Sequence, residues 1–121
     1  MPAPDTSRLR VKKVDNGVTQ VEFVDRNILD EANIQMIGEE LASIIDGSPR
    51  PKLLICFSNV DHLSSAALGA LITVRNKLKD KSGQLRLSDI DPQIYEVFVI
   101  TKLNKLFEIH PTTAEAIQSF K

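Results

Sequence analysis

The sequence predicts one α/β domain built on a mixed β-sheet, in which an antiparallel hairpin is followed by strands and helices in alternation. Polar and apolar residues alternate twice near the start, as in a pair of half-exposed strands. Residues 53–57 are apolar throughout, which is typical of a central strand covered on both faces. Segments of helical period separate this run from further short strands. The predicted order is ββαβαβαβα, with a sheet that is parallel after the hairpin.

A chain of 121 residues is long enough for one domain with its own core. Residues 1–7 lack an apolar segment, so they predict a short disordered lead-in and not a secretory signal. The folded domain is expected over residues 8–121.

The opening hairpin is predicted around Asn16-Gly17, because both residues tolerate the positive φ of a tight turn. Before this turn, Leu9 and Val11 alternate with basic residues. After it, the alternation places Thr19, Val21 and Phe23 on one face and Gln20 and Glu22 on the other.

The first helix is predicted by apolar residues at helical spacing that follow Asp30, a candidate cap. Gly47, Pro49 and Pro51 are expected to end this helix before the central strand. Its core face is expected to comprise Ile34, Ile37, Leu41, Ile44 and Ile45.

The second helix is predicted to follow Ser65 and to end before Gly83, for which we expect a left-handed conformation. Basic residues in its last turn suit the negative end of the helix dipole. The core face is expected to comprise Leu68, Leu71, Ile72, Val74 and Leu78.

The last third of the chain predicts a strand around Leu85 and Leu87, a third helix, a short strand over 106–109 and a closing helix through Phe120. Asp91-Pro92 is a typical helix start, and Thr112 with Glu115 forms a capping-box pattern. The inner face of the third helix is expected to comprise Ile94, Val97, Phe98 and Thr101.

The composition argues against several classes of partner. A net charge of −1 provides no basic excess, so we expect no nucleic-acid binding. No stretch approaches the roughly 18 consecutive apolar residues of a membrane span, so we expect no membrane insertion and a cytoplasmic location. The single cysteine, Cys56, lies in the apolar run and is expected to be a buried small hydrophobe. The pattern predicts no particular oligomeric state.

Catalytic and cofactor motifs are absent from the sequence. Neither a Walker-type loop nor a Gly-x-Gly-x-x-Gly loop occurs. The two histidines and one cysteine show no paired metal-ligand spacing, so we expect no metal and no cofactor. A hydrolase that uses Ser64 or Ser65 with His62 or His110 remains an alternative, although no Gly-x-Ser-x-Gly motif supports it. We expect a protein that is not an enzyme.

Ser64 and Ser65 stand where the second helix is predicted to begin, directly after the central strand and a polar turn. A serine at this position can cap the helix by accepting a hydrogen bond from an unpaired backbone N–H. The same place favours an anion, because those N–H groups carry partial positive charge. The residues therefore allow a structural cap or a phosphorylation site.

The segment from Val60 to Leu71 resembles the signature loop of STAS-domain proteins, the anti-sigma factor antagonists, in which a strand ends in Val-Asp-x-Ile-Asp-Ser-Ser-Gly-Leu-Gly. The segment 103–109 and the following Glu115-Ala116-Ile117 resemble the closing strand and helix of that family. By position, Ser65 falls on the family's phosphorylated serine and Ser64 on its aspartate. Ala66 and Ala67 replace a serine and a glycine, and Leu68 and Gly69 match.

The resemblance implies an anti-sigma factor antagonist that binds an anti-sigma factor serine kinase and is switched off by phosphorylation of Ser65, with Ser64 as the alternative acceptor. A PP2C-like phosphatase would reverse the modification. The partner surface implied by the loop comprises Asp61, His62, Ser64, Ser65, Ala66, Ala67, Leu68 and Gly69. Because Ser64 replaces the family's aspartate, a STAS module that acts as an unphosphorylated scaffold or ligand sensor is the second interpretation.

Overall fold

The computed structural model describes residues 9–14, 17–24, 26–28, 31–47 and 49–120. Its strands are β1 (Leu9–Lys13), β2 (Thr19–Phe23), β3 (Asn27–Ile28), β4 (Lys52–Cys56), β5 (His62–Leu63), β6 (Gln84–Ser88) and β7 (Glu108–His110). Its α-helices are α1 (Glu31–Asp46), α2 (Ser65–Asp80), α3 (Pro92–Ile100) and α4 (Thr113–Ser119), and a 3₁₀ turn spans Leu103–Lys105. The predicted lead-in, Asn16 and Asp30 lie outside the described residues.

The main sheet has the strand order β1-β2-β4-β6-β7. β1 pairs with β2 in antiparallel register, and Gly17 before β2 has a positive φ of 73°. The pairs β2–β4, β4–β6 and β6–β7 are all parallel. Residues 53–57 are buried in the centre of the sheet, which confirms the predicted mixed sheet and its central strand.

A small parallel pair formed by β3 and β5 was not predicted from the sequence. Asn27 is paired with His62, and Ile28 with Leu63. Strands of two residues are too short to show an alternation. This pair nevertheless holds the segment before α2 against the segment that follows β2.

The first face of the sheet carries the large hydrophobic core. α1, α2 and α3 contribute Ile37, Leu71 and Phe98, respectively, among other residues. Phe57 is fully buried, and its ring centroid lies 5.2 Å from that of Phe23 and 6.4 Å from that of Phe98. The predicted core faces of α1 and α2 are confirmed, with Ile44 and Ile72 packed at the margin of the core.

Three local predictions in the last third of the chain are corrected. Val97 and Thr101 do not belong to the inner face of α3: both are exposed, and Thr101 ends the helix by donating its hydroxyl to the Val97 carbonyl at 2.7 Å. The last strand begins at Glu108, because the 3₁₀ turn occupies the chain before the exposed Leu106.

Gly83 does not supply the left-handed stop of α2. Ser82 has the positive φ, at 57°. A Cβ at Gly83 would lie 2.6 Å from the Pro51 carbonyl oxygen and 2.8 Å from Leu78 Cδ2. Glycine is therefore required here by the close approach of the neighbouring chain and not by its backbone angle.

The second face is more polar and is covered in part by α4. Thr112 caps α4 by accepting a hydrogen bond from the Glu115 N–H at 3.2 Å, in agreement with the predicted capping pattern. A small apolar cluster joins α4 to this face through Val18, Leu54, Ala116 and Phe120. Beyond this cluster, the strands carry polar side chains on this face, which can form hydrogen bonds and ion pairs.

Candidate functional site

The segment between β4 and α2 is held against Arg26 by backbone and side-chain hydrogen bonds. The N–H groups of Asp61 and His62 donate to the Arg26 carbonyl at 2.7 and 3.2 Å. The Arg26 guanidinium donates to a carboxylate oxygen of Asp61 at 2.9 Å, and both side chains are exposed. These contacts fix the chain that leads into α2, so the start of this helix has a defined position.

Ser64 is the N-cap of α2. Its backbone is extended, with φ −84° and ψ 166°, and its hydroxyl accepts a hydrogen bond from the Ala67 N–H at 3.2 Å. Serine and aspartate are both favoured at this position because either can accept this bond. Ser64 can therefore cap the helix in place of the aspartate that stands at this position in the family that the sequence resembles.

Ser65 is the first residue of α2 and is exposed. The positive end of the helix dipole lies at this position, where an anion is favoured. The two serines that the sequence placed together are thus separated by their roles: the Ser64 hydroxyl is engaged with the helix backbone, and the Ser65 side chain faces solvent.

The eight residues of the predicted partner surface do not all reach solvent. Ala67 and Leu68 are directed into the core, with only 5% and 6% of their surface exposed, so their side chains are not available to a partner. Ser64 is half-buried. The exposed members, which we call the α2-start surface, are Asp61, His62, Ser65, Ala66 and Gly69.

Gly69 leaves one position of this surface without a side chain. A Cβ added at Gly69 would meet no atom within 4 Å, so packing in this domain does not require a glycine. Glycine inside a helix costs about 1 kcal/mol relative to alanine. Gly69 lies one turn after Ser65 on the same side of the helix, which leaves room for another molecule to approach the helix backbone.

The histidines do not form a catalytic pair with the serines. In the described part of the chain, neither His62 nor His110 hydrogen-bonds to Ser64 or Ser65, and the His110 ring is within 2.8 Å of a Glu108 carboxylate oxygen on β7. Within the same residues, no group of three or more His, Cys, Asp or Glu side chains could hold a metal ion. The geometry gives the hydrolase interpretation no support.

Cys56 is buried as predicted, but its surroundings are polar. Its thiol lies 3.4 Å from the Ser58 hydroxyl and 3.4 Å from a carboxylate oxygen of Asp89. Thr113 donates to the same Asp89 oxygen at 2.5 Å. The description of Cys56 as a simple hydrophobe is therefore corrected, because loops after β4 and β6 bring polar groups to its sulfur.

An ionic network on the second face was also missed from the sequence. Arg86 contacts Glu108 at 2.5 Å, and Glu108 contacts His110 at 2.8 Å. Burial raises the pKa of Glu108, but the hydrogen bond with His110 and the charge of Arg86 outweigh burial, so the pKa lies below its ordinary value of 4.5. The residues come from neighbouring strands, and their pairing becomes visible only with the strand order.

The fold and the exposed serine at a helix start together define a small α/β domain with a candidate regulatory site. The family model described as STAS domain matches residues 11–116, and the chain therefore belongs to the STAS domain family. No helix in the described part of the chain is long and apolar enough to cross a membrane.

Relatives of this chain include proteins of the anti-sigma factor antagonist type. BtrV of Bordetella bronchiseptica, named as a candidate anti-sigma factor antagonist, is 27% identical over 96 residues, which are 79% of this chain and 82% of BtrV. An anti-sigma factor antagonist (STAS) domain protein from Planctomyces limnophilus superposes with a TM-score of 0.82 at 23% identity, over 92% of this chain and 96% of that protein.

A further structure with this fold is that of the Bacillus cell fate determinant SpoIIAA in its phosphorylated form. It superposes with a TM-score of 0.69 at 17% identity, over 91% of this chain and 96% of that protein. At this level of identity, the likeness concerns the fold.

Proposed function

We propose that this protein is an anti-sigma factor antagonist that binds an anti-sigma factor serine kinase through the α2-start surface and is released when that kinase phosphorylates Ser65. A PP2C-like phosphatase restores the binding form. The observation that carries the proposal is the division between the two serines. The Ser64 hydroxyl caps α2, whereas Ser65 is exposed at the first helical position and open to a kinase.

The relatives support the same function. BtrV carries the name of an anti-sigma factor antagonist, and the SpoIIAA structure shows that a protein with this fold can be phosphorylated. This chain has no nucleotide-binding glycine loop, which agrees with the role of a substrate for a kinase that brings its own ATP. The reaction transfers the γ-phosphoryl group of that ATP to the serine oxygen, and the hydroxyl proton and ADP are released.

Electrostatics explain how the modification would act. A phosphoserine adds about −1.5 to −2 charges. The helix start tolerates this charge within the domain, and the nearby Asp61 is already paired with Arg26. A partner packed closely against Ala66 and Gly69 would have to bury the phosphate without a matching cation. A tenfold loss of affinity requires only about 1.4 kcal/mol, which a desolvated charge can supply.

The proposal is tested by calorimetric titration with the anti-sigma factor kinase of the same organism. We expect Ser65→Asp to weaken binding by about tenfold or more, because the carboxylate reproduces part of the phosphate charge. Ser65→Ala should bind normally and accept no phosphate from ATP. Ser64→Ala is the matched control and should still be phosphorylated.

Two glycine variants test the contact surface in the same titration. Gly69→Gln places a long side chain on the α2-start surface and should weaken binding, whereas Gly38→Gln on α1 should leave it unchanged. A Cβ meets open space at both glycines, so neither variant strains the fold. Equal affinity of Ser65→Asp and the unmodified protein would contradict the proposal and favour the unphosphorylated scaffold. Phosphate found by mass spectrometry on Ser64 instead of Ser65 would contradict the assignment of Ser65 as the acceptor.

A further inference from the structure

The second face of the sheet contains an open groove of about 590 Å³ that the proposed switch does not use. It lies beside α4, where the apolar cluster of that helix ends. One wall is apolar and is formed by Val14, Ala114 and Ile117. The floor and the other wall carry polar side chains from β1, β2 and the loops after β4 and β6: Lys12, Gln20, Glu22, Ser58 and Asp89.

Gln20 is the most informative residue of this groove. Only 7% of its surface is exposed. Its side chain lines the groove, and among the residues that the structure describes its amide has no hydrogen-bond partner. A buried amide without a partner costs free energy, and such groups are uncommon in folded proteins. An apolar residue would suit this position better if packing were its only role, since the adjacent residue of β4 is Leu54.

The charges in the groove are separated along its length. Lys12 stands opposite Gln20 in the β1–β2 register, and its ammonium makes no ion pair with any described residue. Glu22 stands one step further along, beside Cys56 in the register. Its Oε1 accepts a hydrogen bond from the Asn59 amide at 3.3 Å and lies 3.8 Å from a guanidinium nitrogen of Arg10. Asp89 follows β6 and uses one carboxylate oxygen, Oδ2, for Thr113 and Cys56. The groove therefore offers a cation and an amide at one end and two carboxylates at the other.

We infer that this groove binds a small zwitterion of the amino-acid type, with its carboxylate toward Lys12 and Gln20 and its ammonium toward Glu22 and Asp89. The Gln20 amide would gain the partner that it lacks, and charge-assisted hydrogen bonds would form at both ends. The apolar wall would hold the carbon skeleton. None of the residues that line this groove belongs to the α2-start surface, and the inference does not depend on the proposed phosphorylation.

The test uses three matched probes added to the ¹⁵N-labelled full chain, with amide chemical shifts as the readout. L-Serine carries both charges, ethanolamine lacks the carboxylate, and 3-hydroxypropionate lacks the ammonium. We expect L-serine to shift amides of β1, β2 and residues 56–58 and 89, and each half-charged probe to bind about tenfold more weakly or worse.

Variants then connect the response to the groove. Gln20→Leu keeps the volume and should abolish the response to L-serine, whereas Gln35→Leu on the exposed side of α1 should not change it. Asparagine at position 89 can adopt the positive φ of 57° that Asp89 has. Asp89→Asn should therefore weaken the binding of L-serine and ethanolamine but leave the binding of 3-hydroxypropionate unchanged. If Gln20→Leu does not fold, the inference is tested by whether Asp89→Asn weakens only the probes that carry an ammonium group.

Three results would overturn the inference. In the first, none of the probes shifts groove amides at millimolar concentration. In the second, all three shift them equally, as expected for nonspecific contact. In the third, the Asp89→Asn variant responds to every probe as the unmodified protein does.

Discussion

The two faces of the central sheet differ in composition: one is apolar and covered by three helices, and the other is largely polar. On the first face, three helices bury a continuous set of aliphatic and aromatic side chains that includes the fully buried Phe57 and Phe98. On the second face, one short helix covers a small cluster around Leu54, and the rest of the face carries Gln20, Arg86 and other polar residues. Alternation within the same strands creates both faces, since neighbouring residues point in opposite directions.

The two faces contribute unequally to the stability of the domain. Burial of apolar surface dominates folding energetics, so the first face should determine whether the domain folds. Polar groups on the second face contribute less to stability, and several of them pair with each other, as in the Arg86–Glu108–His110 network. The α2-start surface belongs to a helix of the first layer, so the candidate regulatory serine is presented by the more rigidly packed half of the molecule.

The largest effect on stability is expected when one phenylalanine from each face is replaced by alanine. Phe57→Ala should lower the free energy of unfolding by about 3–5 kcal/mol, because the ring is enclosed and the cavity cannot collapse. Phe120→Ala should cost roughly half as much, since its ring belongs to the smaller apolar cluster and packs against Arg86, whose guanidinium carbon lies 5.0 Å from the ring centroid. Urea unfolding with a common slope measures both. Equal losses would remove the energetic distinction between the faces.

A smaller effect is expected at the start of α2. Ser64→Ala removes the bond to the Ala67 N–H and should cost about 0.5–2 kcal/mol. Ser65→Ala should change stability by less than about 0.5 kcal/mol, because the residue is exposed. Thermal unfolding of the two variants provides the comparison. A larger loss for Ser65→Ala would show that Ser65, and not Ser64, stabilises the helix.

The smallest effect is electrostatic and belongs to the second face. The pKa of Glu108 is lower in the folded protein than its ordinary value of 4.5, so its carboxylate stabilises the fold above that pH and loses this contribution as the pH falls through the lower folded value. Because the Glu108 side chain is 48% exposed, solvent screening should keep the contribution under about 1 kcal/mol.

Glu108→Gln should therefore be slightly less stable than the unmodified protein at neutral pH, and the two stabilities should converge as the pH falls below the lowered pKa of Glu108. Denaturant unfolding at several pH values measures the gap. A gap that stays constant on acidification would show that the Glu108 charge is not responsible for it.

The sequence was a good guide where regular periodicity extends over a whole element. The core faces of α1 and α2, the buried run 53–57 and the antiparallel hairpin followed by parallel strands were all predicted. It was a poorer guide at short elements. The β3–β5 pair was missed. Val97 was predicted to face the core although it is 38% exposed, because a helix of nine residues has too few apolar positions to define which of its sides is buried.

The candidate site shows the same limit. The pair Ser64-Ser65 and the resemblance of its loop located the site, but the sequence left open which serine caps the helix. The three-dimensional structure assigns the cap to Ser64 and leaves Ser65 exposed. It also removes Ala67 and Leu68 from the surface that a partner can touch.

Local periodicity and capping chemistry were enough to predict the order of elements, the central strand and the position of the serine-bearing helix start. Three features became visible only in three dimensions: the polar groove, the environment of Cys56 and the Arg86–Glu108–His110 network. Each of these combines side chains from strands and loops far apart in the chain, and their proximity depends on the order and register in which the strands pair.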